Sequence, residues 1–252
     1  MKNHLQNFPA LKRYVSSLCS IPAGTFRMGS VSGEWDEKPV RSVNLRAFRM
    51  GSTPVTVGVW KEYCRANKLE MPEKPRWGWI DDHPIVGVSW EDIMGEDDEE
   101  AFCAWASAMA GIRLTLPTEA QFEYASQGGK YGLNYPWGNT FDRSKLWCSA
   151  KSFGDAKRTS KVNRTTRIYK NAYGLTDMTG NVWQWCSDIY APYSNGPENN
   201  PDGPFVDTSE RGRRCLRGGS WEFDVSSYFR CTYRYWENPS YSSDTFGFRL
   251  AT

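Results

Sequence analysis

Three sets of side chains in this 252-residue chain could do chemistry, and each implies a different kind. The first is thiol: cysteines stand at 19, 64, 103, 148, 186, 215 and 231. Thiolates hold zinc or copper(I), but no two of these form a Cys-x-x-Cys pair, and His4 and His83 are the only histidines. A histidine-based metal centre is excluded by composition, and seven sparse cysteines do not describe a disulfide scaffold. The second set is a carboxylate pair. Glu119 and Glu123 lie four apart, on one face of a helix, a spacing that could serve acid–base work. The third set is aromatic. Of the twenty-five residues between Trp221 and Gly247, eight are aromatic, and Ser, Tyr, Asp, Thr and Asn supply most of the rest. This is the composition of a binding loop, in which Tyr and Trp give contact area at low entropic cost and Ser, Asn and Asp give adaptable hydrogen bonds.

The elements that must position these groups are short. Ser89 is an N-cap candidate with Glu91 and Asp92 in the first turn, and Ala101, Phe102, Trp105 and Met109 recur at helical spacing before Gly111. The acidic run 95–100 interrupts that helix. Thr118 followed by Gln121 reads as a capping box for a second helix ending at Gly128. Modest strands are expected at 21–30, 40–50, 87–88, 181–186, 215–221 and 246–251, and loops at 151–171 and 193–207. The fold class is α+β, with two main helices, short strands and many loops. One domain is expected over 21–252, preceded by an extension at 1–20. A net charge of +2 gives no electrostatic footprint for nucleic acid, and no apolar run is long enough to span a membrane. No export signal is visible in the first eighteen residues.

Several motifs fall in order along the chain: Ile21-Pro22-Ala23-Gly24-Thr25-Phe26-Arg27-Met28-Gly29-Ser30, Thr53-Pro54-Val55-Thr56, His83-Pro84, Val88-Ser89-Trp90 and Leu116-Pro117-Thr118-Glu119-Ala120-Gln121-Phe122-Glu123-Tyr124-Ala125. Tyr135-Pro136-Trp137-Gly138, Gly180-Asn181-Val182-Trp183-Gln184-Trp185, Arg217-Gly218-Gly219-Ser220-Trp221 and Gly247-Phe248-Arg249-Leu250 follow. Together they resemble the formylglycine-generating enzyme (sulfatase-modifying factor) family over about residues 20–251, which implies a C-type lectin-like fold.

The resemblance does not extend to that family's copper chemistry. In its copper enzymes two cysteines after the Gly-Gly-Ser motif bind copper(I), whereas here that stretch reads Glu222-Phe223-Asp224-Val225-Ser226-Ser227, and Cys231 resembles a structural cysteine. Nor does the chain carry the histidine-rich added domain of the related iron-dependent sulfoxide synthases. The segment 217–249 instead resembles the non-catalytic variable proteins of diversity-generating retroelements, in which a fixed framework carries a hypervariable ligand surface. On that resemblance Arg217, Arg230, Arg234, Pro239 and Gly247-Phe248-Arg249 are framework. The ligand-binding set is Glu222, Phe223, Asp224, Ser226, Ser227, Tyr233, Tyr235, Trp236, Glu237, Tyr241, Ser243, Asp244 and Thr245, with Trp236, Tyr235 and Tyr233 as the anchors. Most of these residue types are what random replacement of adenines in asparagine codons would produce.

The expectation is a protein without catalytic function that binds a protein or cell-surface ligand through 222–245, exported or displayed at the cell surface, with no cofactor beyond a structural calcium. The calcium position is implied by family resemblance at Asn181, Val182 and Gln184, where Gln184 replaces an acidic ligand and weakens the site. The competing readings are an oxidoreductase of the family with relocated chemistry and a regulatory pseudoenzyme lacking the cysteine pair.

Overall fold

The computed structural model describes residues 4–95, 101–149, 157–162, 169–202 and 212–252. The acidic run at 96–100, much of the loop 151–171 and the end of the loop 193–207 lie outside the described residues. Three small sheets carry the chain. β1 (Cys19–Ile21) pairs antiparallel with β4 (Phe48–Met50). β2 (Gly24–Met28) pairs antiparallel with β3 (Arg41–Leu45), which pairs in parallel with β6 (Glu198–Asn199). The third sheet runs in the order β8 (Tyr235–Glu237), β7 (Arg214–Arg217), β5 (Trp183–Ile189), β9 (Phe246–Gly247).

That third sheet divides the core, because successive side chains of a strand point to opposite faces. Trp183, Trp185, Leu216 and Phe246 join one apolar cluster with Trp60, Phe102 and Phe248, whereas Cys186 and Cys215 join the other with Phe122 and Tyr124. Rings dominate the first cluster: Trp60 stacks on Phe102 at 4.9 Å, and Phe248 meets Phe102 edge-on at 5.2 Å. Burying a ring of this size contributes about 2–3 kcal/mol, so the cluster anchors the sheet firmly.

Among the described residues there are five α-helices where two main ones are expected: α1 (Pro9–Ser16), α2 (Val57–Asn67), α3 (Trp90–Met94), α4 (Phe102–Ala110) and α5 (Glu119–Gln127). The last three match the sequence signals. Ser89 and Asp92 exchange hydrogen bonds as a capping box, as do Thr118 and Gln121, and Gly111 and Gly128 end α4 and α5 at positive φ. α1 lacks such a signature because its cap is remote: the Glu62 carboxylate of α2 accepts from the N–H groups of Ala10 and Leu11, at 2.9 and 3.0 Å. The residues expected to form an extension are therefore wound into the fold. Leu11 and Tyr14 are buried in the first cluster, and the Tyr14 hydroxyl accepts from the Leu250 N–H at 2.9 Å, tying the two ends of the domain together.

Candidate functional site

The Gly-Gly-Ser-Trp to Gly-Phe-Arg segment builds two surfaces, one on each face of the β8-β7-β5-β9 sheet. On the α5 face lies a buried charge network. The Arg217 guanidinium bonds the Glu123 carboxylate and donates to the carbonyls of Thr232 and Tyr233 at 2.7 and 2.5 Å. Arg234 forks onto Glu119 at 2.7 and 2.8 Å and donates to the Asp36 carbonyl at 2.9 Å. Arg230 forks onto Glu37 at 3.0 and 2.6 Å. Glu119 and Glu123 are thus cradles for arginine rather than an acid–base pair. Burial pushes the Glu119 carboxyl up, but the Arg234 and Arg217 guanidiniums outweigh it and hold the group at about 2.

On the opposite face the same segment exposes rings. Trp183 of β5 lies almost fully buried at the centre, with Tyr235 stacked at 5.1 Å and Tyr233, Tyr228 and Phe223 at 6.0, 6.2 and 6.4 Å. Tyr228 stands on the 3-10 turn Ser226–Phe229 and packs on Tyr233 at 4.9 Å. The edge of the patch continues through Trp221, which meets Trp77 edge-on at 5.5 Å and lies under the Arg76 guanidinium at 5.6 Å. The Trp221 indole donates to the Asp244 carbonyl at 3.0 Å, and burial pushes the Asp244 carboxyl above the usual range while Arg76 pulls it back. Asp224 pairs with Arg143 at 2.7 Å, and Ser243 and Thr245 share a hydrogen bond at 2.9 Å.

The thirteen residues singled out in the sequence sort by this geometry. Glu222, Asp224, Ser226, Tyr235 and Tyr241 are exposed, Phe223, Ser227, Tyr233, Trp236, Glu237, Ser243 and Asp244 are half-buried, and only Thr245 is buried. The interrupting residues Arg217, Arg234, Pro239, Gly247, Phe248 and Arg249 are buried, with Arg230 half-buried. Of the patch rings, Trp236 meets its chain neighbour Tyr235 alone, nearly parallel at 6.4 Å. Its neighbour across β7 is Cys215, whereas that of Tyr235 is Leu216, so the strand's alternation sends Trp236 to the α5 face, between Tyr190 at 6.1 Å and the Arg213 guanidinium at 3.5 Å. Trp183, Tyr228, Trp221, Trp77 and Arg76 complete the patch and are absent from the sequence-derived set. A period-two reading outward from Tyr233 and Tyr235 could have removed Trp236; nothing local to Trp77 announces its meeting with Trp221.

The copper pair of the resembled enzymes has no counterpart here. Residues 222–227 contain no sulfur, and Cys231 is a buried thiol that burial pushes up to about 12, so it offers no thiolate near neutral pH. Among the described residues no group of three or more His, Cys, Asp and Glu converges as a metal site. The donor set therefore does not fit copper(I), which requires soft, ionised sulfur. At the position resembling a calcium site, the oxygens are already engaged. Asn181 Oδ1 accepts from the Ser160 N–H at 2.9 Å, and Gln184 Oε1 accepts from Arg249 Nε at 2.6 Å. The Arg249 guanidinium stands against Gln184 and donates to the carbonyls of Gly51, Thr176 and Asp177, so a cation bound through Gln184 would have to displace it.

Comparison with known proteins follows this geometry. A family model for the sulfatase-modifying factor enzyme 1-like domain matches residues 6–252. The chain is 30% identical to the serine/threonine-protein kinase pkn1 of Chlamydia pneumoniae over 96% of its own length and 39% of that protein's, so it spans about two fifths of that relative. It is 30% identical to the formylglycine-generating enzyme of Streptomyces coelicolor, covering 92% of this chain and 87% of that one. It is 29% identical to the inactive C-alpha-formylglycine-generating enzyme 2 of Bos taurus, covering 94% and 88%. Among solved structures, PvdO from Pseudomonas aeruginosa superposes with a TM-score of 0.78 at 25% identity, over 93% of each chain. Variable protein 1 of Treponema denticola superposes with a TM-score of 0.75 at 22% identity, over 93% and 94%, which places the fold in the C-type lectin-like class. These matches correct the expectation of a protein without catalytic function: a relative aligned over nine tenths of the chain bears the name of an enzyme.

Proposed function

Because the chain belongs to the sulfatase-modifying factor enzyme 1-like family, we propose that it is a protein-modifying enzyme that binds a polypeptide segment across the aromatic face at 221–246. The observation that carries this reading is the continuous patch of Trp183, Tyr235, Tyr233, Tyr228 and Phe223, half-open to solvent and bordered by hydrogen-bonding side chains. Rings of this kind bind extended chain through area and edge contacts, and the rim of Ser226, Ser227, Ser243 and Glu222 offers partners to its amides. On this face we assign proton handling to Asp244, whose carboxyl burial raises above its ordinary range against the opposing pull of Arg76.

The test is a random-peptide display selection on the purified chain, followed by mass analysis of the selected peptides after incubation. We expect selected peptides to bind in competition with one another, to gain a defined mass change, and to lose binding in Tyr235→Ala. A selection that enriches nothing, or peptides bound equally well by Tyr235→Ala, overturns the reading.

A second reading concerns how the face arises. The retroelement-diversified surface is favoured by the division described above, in which twelve of the thirteen candidate positions reach solvent at least in part while all the interrupting residues but the half-buried Arg230 lie inside. Sequencing the DNA beside the gene tests it: a second copy of the region encoding 217–249, differing at adenines and adjoining a reverse transcriptase, supports diversification, and its absence removes it.

A further inference from the structure

Away from the aromatic patch, a cavity of about 290 Å³ lies between Asp188 near the end of β5, the segment 189–202 that follows it, and Arg41 of β3. Its charges do not balance. Four carboxylates line it, Glu119, Asp188, Glu198 and Asp202, against two guanidiniums that each hold a carboxylate, Arg234 with Glu119 at 2.7 Å and Arg41 with Glu198 at 3.0 Å, while Arg41 Nε and the Tyr193 hydroxyl are buried there without a hydrogen-bond partner. Asp188 and Asp202 are left over. The nearby Arg214 is turned aside, stacked over the Trp90 ring at 3.8 Å with Nη1 on the Ser187 carbonyl at 3.1 Å.

Asp188 itself is almost fully buried. Its Oδ2 accepts from the Glu119 N–H at 2.9 Å and the Ser187 hydroxyl at 3.0 Å, and Oδ1 has no hydrogen-bond donor among the described residues. A buried carboxylate with an open oxygen on a cavity wall calls for a cationic donor. One side of the wall can take a carbon stem, Ile189, Ala191, Pro192 and the Tyr193 ring, which is held between Arg41 at 4.4 Å and Arg234 at 4.0 Å, while Ser194, Asn199 and Asn200 make the other side polar. A divalent ion fits less well, because it demands six or more oxygens and no three acidic or sulfur groups converge here among the described residues. An anion would meet the uncompensated negative charge.

We propose that this cavity binds the ammonium group of an aliphatic amine, its nitrogen donating to Asp188 Oδ1 and its stem lying against Ile189 and Pro192. The site stands apart from the aromatic face and does not depend on what that face does. The shared chemistry has two sources, a lysine side chain of a polypeptide or a free alkylamine. Binding follows the charge of Asp188. Burial, reinforced by the charge of Glu119, pushes this carboxyl up to about 7 in the empty cavity. The groups facing it do not compete as switches near neutrality: Glu119 on α5 is ionised, Arg234, Arg214 and Arg41 are guanidiniums, and burial lifts the thiols of Cys186 and Cys215 well above their ordinary value.

The experiment is isothermal titration of the whole chain with n-butylamine, with 1-pentanol as a neutral alcohol one methylene longer, and with an N-acetylated, C-amidated Gly-Lys-Gly peptide, at about pH 8 and about pH 5.5. We expect saturable butylamine binding at the higher pH, weakened more than ten-fold at the lower pH and in Asp188→Asn, and no binding of pentanol. Tighter binding of the lysine peptide assigns the site to a polypeptide side chain; binding of butylamine alone assigns it to a free amine. Failure of both, equal binding of pentanol, or unchanged affinity in a folded Asp188→Asn overturns the proposal. Should that variant not fold, affinity for butylamine that does not change between the two pH values in the wild-type chain overturns it as well.

Discussion

One stretch of chain, 214–249, supplies both the most buried charges of the molecule and its aromatic patch, and the two regions obey different rules. On the α5 face the buried guanidiniums have fixed addresses: Arg217 on Glu123, Arg234 on Glu119, Arg249 on Gln184 and three carbonyls. On the opposite face the rings touch one another at 5 to 6 Å without a directional bond among them. Directional partners make a position intolerant, since losing one leaves the other buried and unpaired. Ring packing against a half-open surface makes a position replaceable. The contrast explains how a segment can hold its shape while its outward side chains change.

The comparison breaks most visibly on the buried side. Glu123→Gln removes the nearer of the two carboxylates on Arg217 and leaves only Glu119, at 3.5 Å and shared with Arg234, so we expect a loss of about 3 kcal/mol in chemical denaturation. A loss under about 1 kcal/mol would mean that the network is not structural. Next in size is the pH dependence of stability, where two neighbouring carboxylates pull in opposite directions. Glu119, held at about 2 against an unfolded value of 4.5, contributes stability that is present above about pH 4.5 and lost as pH falls toward 2. Asp188, lifted to about 7 from 3.8, binds its proton more tightly in the fold, so stability falls as pH rises from about 4 to 7, by a few kcal/mol at most. Denaturation of Asp188→Asn across that window, without added amine, should show a flattened slope; an unchanged slope assigns the titration elsewhere.

On the open face effects appear in binding. Tyr235→Ala should weaken peptide binding by about 2 kcal/mol, and Trp236→Ala should change it far less, because the strand turns that indole to the other side of the sheet. Equal losses for the two would erase the distinction between the faces. Smallest of all, Arg143→Ala removes an exposed ion pair with Asp224, and thermal denaturation should show no measurable shift.

Much of the fold is legible in the sequence wherever the signal is local. Ser89 with Asp92, Thr118 with Gln121 and the closing glycines at 111 and 128 declare helices within a few residues of themselves. α1 and α2 are not declared, since Glu62 caps a helix about fifty residues earlier in the chain and Thr56 makes no side-chain cap at all. The candidate face is half legible for a similar reason. Composition picks out Tyr233 and Tyr235, and the framework implied by the resemblance to variable proteins, Arg230 apart, separates inside from outside. The contributions of Trp183, Tyr228, Trp77 and Arg76 depend on which strands become neighbours, which composition does not encode. The expectation of no catalytic function rested on the missing cysteine pair alone, and it is overturned by a relative named as an enzyme that aligns over nine tenths of the chain.

The indole of Trp221 closes on the Asp244 carbonyl, so the residues between them form a ring fastened at its neck. The entropy of closing such a ring grows only logarithmically with its contour, and doubling the number of residues inside costs about 0.6 kcal/mol. Within the clasp, the exposed turn at 240–242 is the place where added chain should leave the rest of the domain to fold as before, since it lies outside β8 and the buried Phe229 and Cys231.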